Sequence, residues 1–161
     1  MRYKLFMFDL DETVWTIDQQ KLGTAVTGPF KVIDNREVRS ATAQVRLFPG
    51  VRALLQNLHS RGKYISLASR SDPEVCDELL QAFGIAQYFS YSQYGWQEKS
   101  QAVLNVIQAI EENEKETIAA HEVLFVDDWR GNVDAVRATG ASALLFGRDV
   151  RSIQELGNIL T

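Results

Sequence analysis

The strongest constraint in the chain is a set of four short runs in which successive residues, rather than alternate ones, are apolar: 3–8, 64–68, 123–126 and 143–146. Each is bounded by polar or glycine residues. A strand with that pattern is buried on both faces, which is the condition of a parallel sheet covered by helices on each side. Helical stripes lie between the runs. Val51, Leu54, Leu55 and Leu58 recur at i, i+3, i+4 and i+7 behind Pro49-Gly50, and Val75, Leu79, Leu80 and Phe83 form a second stripe that ends at Gly84. Asp72 suits the cap of that second helix and Pro73 its first turn, with Ser71 and Glu74 at capping-box spacing in an alternative register. Ala102, Val103, Val106, Ile107 and Ile110 predict a third helix over 97–112, with a polar end and loop after it. A short fourth helix follows Gly131, and Ile153, Leu156 and Leu160 outline a fifth. The β-α-β-α-α-β-α-β-α order predicts an α/β fold: a doubly wound, mainly parallel sheet sandwiched by helices, with right-handed crossovers. The exception is 16–46, where two Gly, a Pro and the turn Asp34-Asn35 between Val32-Ile33 and Val38 predict a loop or hairpin insertion.

At 161 residues the chain is sized for one domain, and 45% apolar with 24% charged residues is the balance of a packed globule. Cys76 is alone, which excludes an intrachain disulfide, and with only His59 and His121 beside it a thiolate zinc site lacks ligands. A reducing, cytoplasmic location is expected, since the apolar run after Met1 stops at Asp9, short of a signal-peptide core or a membrane span. The net charge is −4 and no Lys/Arg cluster is present, so neither nucleic acid nor a membrane surface is expected as a partner.

In a parallel sheet, three polar clusters share the carboxyl edge: Asp9-Leu10-Asp11-Glu12-Thr13, Ser69-Arg70-Ser71-Asp72 and Asp127-Asp128. Lys99 joins them at the start of the third helix. Doubly wound folds bind ligands at that edge. The carboxylates of Asp9, Asp11, Asp127 and Asp128, gathered together, resist ionising and require a cation. Mg²⁺ suits an all-oxygen donor set and leaves coordination positions for water or phosphate oxygens. Mg²⁺, Lys99 and Arg70 balance the four aspartates, and protonation of Asp11 leaves the site attractive to a phosphate dianion. Singly, each cluster has a plainer explanation as a turn, a helix cap or a solvated charge. Their convergence on one edge is what carries the argument. His59, His121 and Cys76 have no partner motif for nucleophilic catalysis, and no GxGxxG follows the first strand.

These residues also carry a resemblance. FMFDLDETVW, a hydrophobic strand followed by DxDxT, resembles the first motif of the haloacid dehalogenase superfamily, and LASRSD, the Lys of WQEKS, and VLFVDDWRGN resemble its second, third and fourth motifs in order. Trp15, Ser69-Arg70 and the paired Asp-Asp are most similar to the magnesium-dependent phosphatase-1 group of subclass III. The resemblance covers nearly the whole chain, including LFPGVRALLQNL, a short capless insertion and TGASALLF. Two residues depart from the group: Glu12 stands where an aromatic residue is usual, and Trp96 is more like glyceryl-transferring relatives, against which Arg70 argues.

The resemblance implies a Rossmann-like core without a large cap and a single hydrolase domain over 1–161. It implies Asp9 as the nucleophile of an aspartyl-phosphate mechanism and Asp11 as general acid and base, with Thr13 bracing their loop through its hydroxyl. It further implies Mg²⁺ on Asp9, the main-chain carbonyl of Asp11 and a carboxylate of the Asp127-Asp128 pair, with Asp128 favoured as the direct ligand and Asp127 as an outer or water-mediated one. Ser69 and Lys99 are implied as contacts to the substrate phosphate, and Arg70 as a bidentate anion holder. The expected partner is a small phosphorylated substrate, such as a phosphosugar, or a protein phosphotyrosine. The alternatives are glyceryl or phosphoryl transfer to an acyl-carrier partner and a non-enzymatic phosphoacceptor switch. Asp11 weighs against the switch, because a long-lived phosphoryl group requires that no acid/base group stand beside it.

Overall fold

A computed structural model describes residues 2–160. The four apolar runs form β1 (Leu5–Phe8), β6 (Tyr64–Ser69), β8 (Val123–Asp127) and β9 (Ser142–Leu145), and a two-residue strand β7 (Gln93–Tyr94) joins them at one edge. The order is β7-β6-β1-β8-β9 and every pairing is parallel. Alternate residues of β1 enter opposite layers. Phe6 and Phe8 pack with Leu55 and Leu58 of α1 (Val51–Ser60), Leu79 of α2 (Pro73–Ala82) and Leu156 of α5 (Ile153–Leu160). Leu5 and Met7 pack with Val103, Val106 and Ile110 of α3 (Lys99–Glu114) and Val133 and Val136 of α4 (Arg130–Arg137). The doubly wound α/β sandwich expected from the unbroken apolar runs is therefore the architecture, and no helix among the described residues is long and apolar enough to cross a membrane.

The local signals act where they fall. Gly50 takes φ 88 ahead of α1, a conformation that costs glycine little. Asp72 caps α2, its Oδ1 accepting from the backbone N–H groups of Glu74 at 2.8 Å and Val75 at 3.3 Å. The insertion is richer than a loop or hairpin. The hairpin about Asp34-Asn35 is present as β3 (Lys31–Val32) and β4 (Glu37–Arg39), with Val32 opposite Val38. β2 (Trp15–Gln19) and β5 (Ala43–Leu47) extend it to a four-stranded antiparallel sheet of order β2-β5-β4-β3. Trp15, Val38, Val45 and Leu47 are buried in the same apolar cluster as Phe6 and Phe8, so this small sheet shares the core.

Register sets the functional edge. Phe8 lies opposite both Leu67 and Val126, so Asp9, Ala68 and Asp127 reach the carboxyl edge at one level. From β1 the chain builds outward through β6 and β7, then crosses to β8 and β9 on the other side. Asp9 and Asp127 thus flank the topological switch point, where such sheets open a crevice. The core beneath is close-packed: Leu55→Ala is expected to cost about 2–5 kcal/mol, read as a fall in the urea midpoint with an unchanged slope. A loss under about 1 kcal/mol would contradict this packing.

Candidate active site

Asp9, Asp11, Ser69, Arg70, Lys99, Asp127 and Asp128, the seven residues singled out from the sequence, all line one open pocket of about 180 Å³ at the switch point. Lys99 is its centre of positive charge. As the first residue of α3 it places a cation at the positive end of a helix dipole, and it is buried, so carboxylates must stabilise it. Its Nζ donates to Asp9 Oδ1 at 3.2 Å and to the carbonyl of Ala68, and stands 3.9 Å from Asp127 Oδ2.

The carboxylates outnumber it. One oxygen each from Asp9, Asp127 and Asp128 lies within 4.8 Å of the others. Burial, together with the charge of Asp127 and the contact with Asp128, pushes Asp9 up to about 8 against the pull of Lys99. Burial raises Asp127 as well, although the Trp129 N–H, Lys99 and Asn132 act the other way. Asp127 is fully buried with both oxygens engaged: Oδ1 accepts from the Trp129 N–H at 2.8 Å and Oδ2 from Asn132 Nδ2 at 3.1 Å. Asp128 is exposed. Three carboxylates converging in this way are the all-oxygen donor set that suits a hard divalent ion.

Asp11 stands outside this trio. Its Oδ1 accepts from Trp15 Nε1 at 2.8 Å and its Oδ2 from Ser71 Oγ at 2.7 Å. The turn that allows this passes through Glu12 at φ 62, whose N–H donates to the Trp15 carbonyl at 2.7 Å. Thr13 corrects an expectation. Its hydroxyl is buried without a hydrogen-bond partner among the described residues, so it does not brace the loop. Backbone bonds from Thr13 N and Val14 N to the Leu10 carbonyl hold it instead.

Ser69 is buried, its Oγ accepting from the Ser71 N–H at 3.1 Å and lying 3.7 Å from Cys76 Sγ. Burial pushes that thiol up to about 12, so it stays protonated. The Arg70 guanidinium lies 5.6 Å from the Trp96 ring centroid, and its buried Nε has no partner among the described residues, leaving a donor available to an anion. Trp15 is core, stacked on Phe83, whereas Trp96 is an exposed wall of the pocket. Ser71, placed at this edge by the sequence but given no role in the site, also lines the pocket, as do Trp129 and Asn132, which were missed. Ser71 looked like a helix cap. Asn132 had a faint signal, lying one helical turn beyond Asp128.

An acidic trio with one buried lysine stands at the switch point of the doubly wound sheet, and comparison with known proteins shows the class to be that of phosphatases with a haloacid dehalogenase-like fold. The acid phosphatase family model matches residues 2–151, and the chain belongs to that family. No curated protein matches the chain significantly. Among solved structures it is similar to a predicted phosphoglycolate phosphatase from Haemophilus somnus 129pt, at 13% identity and TM-score 0.67 over 100% of this chain and 99% of that one. It is also similar to a haloacid dehalogenase superfamily hydrolase from Ehrlichia chaffeensis, at 16% identity and TM-score 0.68 over 98% and 96%. A magnesium-bound hydrolase of the superfamily from Bacillus subtilis matches at 16% identity and TM-score 0.60 over 72% and 57%.

The raised Asp9 links the site to stability. Without metal, folded Asp9 keeps its proton up to about pH 8 while the unfolded chain releases it near 3.8, so stability falls as pH rises between those values. Melting curves in EDTA should therefore show a lower Tm at pH 8 than at pH 5, and Asp9→Asn should shrink the difference. A parent Tm that rises over that interval would contradict the assignment.

Proposed function

We propose that the chain is a Mg²⁺-dependent phosphomonoester hydrolase that works through an aspartyl-phosphate on Asp9, of the kind found in the magnesium-dependent phosphatase-1 group of subclass III. The observation that carries this reading is the Asp9 carboxylate, paired with buried Lys99 and set against Asp128 in an open pocket. Asp9, Asp128 and the main-chain carbonyl of Asp11 would hold the ion, with Asp127, oriented by the Trp129 N–H and Asn132, contributing through water. When bound, Mg²⁺ cancels the repulsion between the nucleophile and a phosphate dianion. The magnesium-bound Bacillus subtilis neighbour supports that choice of ion.

Asp9 attacks phosphorus in line, forming the acyl-phosphate bond as the ester P–O bond breaks. Asp11 gives its proton to the departing oxygen, then takes one from the water that attacks the acyl-phosphate, releasing phosphate and restoring Asp9. Lys99 holds Asp9 in place and offsets charge on the transferring group. Ser69 and the free Nε of Arg70 suit its remaining oxygens. Substrates of this class are small phosphomonoesters, phosphosugars among them, or phosphotyrosine.

The test is p-nitrophenyl phosphate hydrolysis by the purified protein. Turnover is expected with Mg²⁺ and not with EDTA, and Asp9→Asn should abolish it. Asp11→Asn should lower kcat by about 10²- to 10⁴-fold, and Arg70→Ala should chiefly raise KM. Parent-level turnover by Asp9→Asn would overturn the nucleophile assignment.

A further inference from the structure

Beside the Asp9 pocket lies a larger cavity, about 890 Å³, between the insertion and α2, and Asp11 and Ser71 line both. We propose that this cavity receives the leaving group of the substrate and is built for one that carries positive charge on an apolar stem, an ammonium-bearing phosphomonoester. The inference rests on the hydrolase reading above and specifies its substrate class.

The course of the reaction locates the leaving group. In-line displacement puts the departing oxygen on the far side of phosphorus from Asp9, and Asp11 must reach that oxygen to protonate it. Asp11 is turned out of the carboxylate trio by Trp15 and Ser71, and the cavity adjoins the pocket at Asp11 and Ser71. A group esterified to the phosphate therefore extends into the cavity.

The lining decides its chemistry. Asp11, Glu12, Asp18, Asp72, Glu74 and Glu78 line the cavity, and among the described residues no Lys, Arg or His does. None of the six forms an ion pair among the described residues. Glu12 is held by Thr16 Oγ1 at 2.8 Å and Glu78 by the Phe30 N–H at 2.9 Å, bonds that orient these carboxylates without neutralising them. Between them stand Ile17, Val26, Val75 and Leu22, the last 90% exposed at the rim. An anionic leaving group would meet six carboxylates and no cationic side chain among the described residues, whereas an ammonium on a hydrocarbon stem finds partners for both its charge and its stem. The anionic and cationic halves of such a substrate match the Lys99/Arg70 pocket and the acidic cavity in turn.

The test uses three aryl phosphates that share a ring: 4-(2-aminoethyl)phenyl phosphate, 4-ethylphenyl phosphate and 3-(4-phosphonooxyphenyl)propionate. The kcat/KM for the ammonium ester should exceed that for the neutral ester by about tenfold, with the carboxylate ester lowest, and added salt should narrow the spread. The double variant Asp18→Asn/Glu74→Gln should lower the ammonium-to-neutral ratio by about threefold. A ratio at or below one in a parent enzyme that hydrolyses the neutral ester overturns the cationic leaving-group site and leaves the hydrolase reading intact, as does a ratio unmoved by the double variant. Failure to hydrolyse all three esters and p-nitrophenyl phosphate overturns the hydrolase reading itself.

Discussion

A buried ion pair with too little positive charge governs the molecule. Lys99 Nζ, 3.2 Å from Asp9 and 3.9 Å from Asp127, sits at the wrong end of its own helix for a cation and is shielded from water. Taking such a charge out of solvent costs several kcal/mol, which only adjacent carboxylates offset. With all three aspartates ionised, three against one lysine leave an excess of two negative charges, equal to the charge of one divalent cation. The parallel register exists around this point: with Phe8 level with Leu67 and Val126, the nucleophile candidate, the lysine's carbonyl acceptor Ala68 and the acidic pair arrive together.

The two aspartates of the first loop divide the labour by direction. Asp9 belongs to the cation-seeking trio. Asp11, two residues on, is held facing the other way by one indole N–H and one hydroxyl. This separation depends on the left-handed turn at Glu12 and on Trp15 being anchored in the core against Phe83. The insertion supplies that anchor and the far wall of the larger cavity, and its sheet packs in the same apolar cluster as β1. Core packing and site geometry are thus the same set of contacts seen from two sides.

What the sequence made legible follows from the same physics. Strands apolar at every position could only be buried on both faces, so the parallel sheet, its helices and the acidic edge were readable from residues such as Leu5–Phe8 and Val123–Asp127. The seven candidate site residues were readable because each sits where a strand or helix begins or ends, and the structure brings all seven to one pocket. The edge strand Gln93–Tyr94 was not legible, since two half-buried residues make no pattern. Of the other two strands in the small sheet, Trp15–Gln19 was hidden for a related reason: it is fully buried only at its first residue, next to the core, and its exposed end reads as loop. Ser71 was given no role in the site because a serine before a helix has a commoner use, and Thr13 was misassigned because its hydroxyl is buried with no hydrogen-bond partner among the described residues.

The central claim, that a surplus of carboxylates around Lys99 is the seat of one divalent ion, is tested most directly by titrating metal-free protein with Mg²⁺ calorimetrically near pH 7 in buffers of differing ionisation enthalpy. The account predicts one ion per chain, proton release on binding because Asp9 is held protonated without metal, and affinity at least about tenfold weaker in Asp128→Asn. No saturable binding at millimolar Mg²⁺, or equal affinity in the variant and the parent, would contradict it.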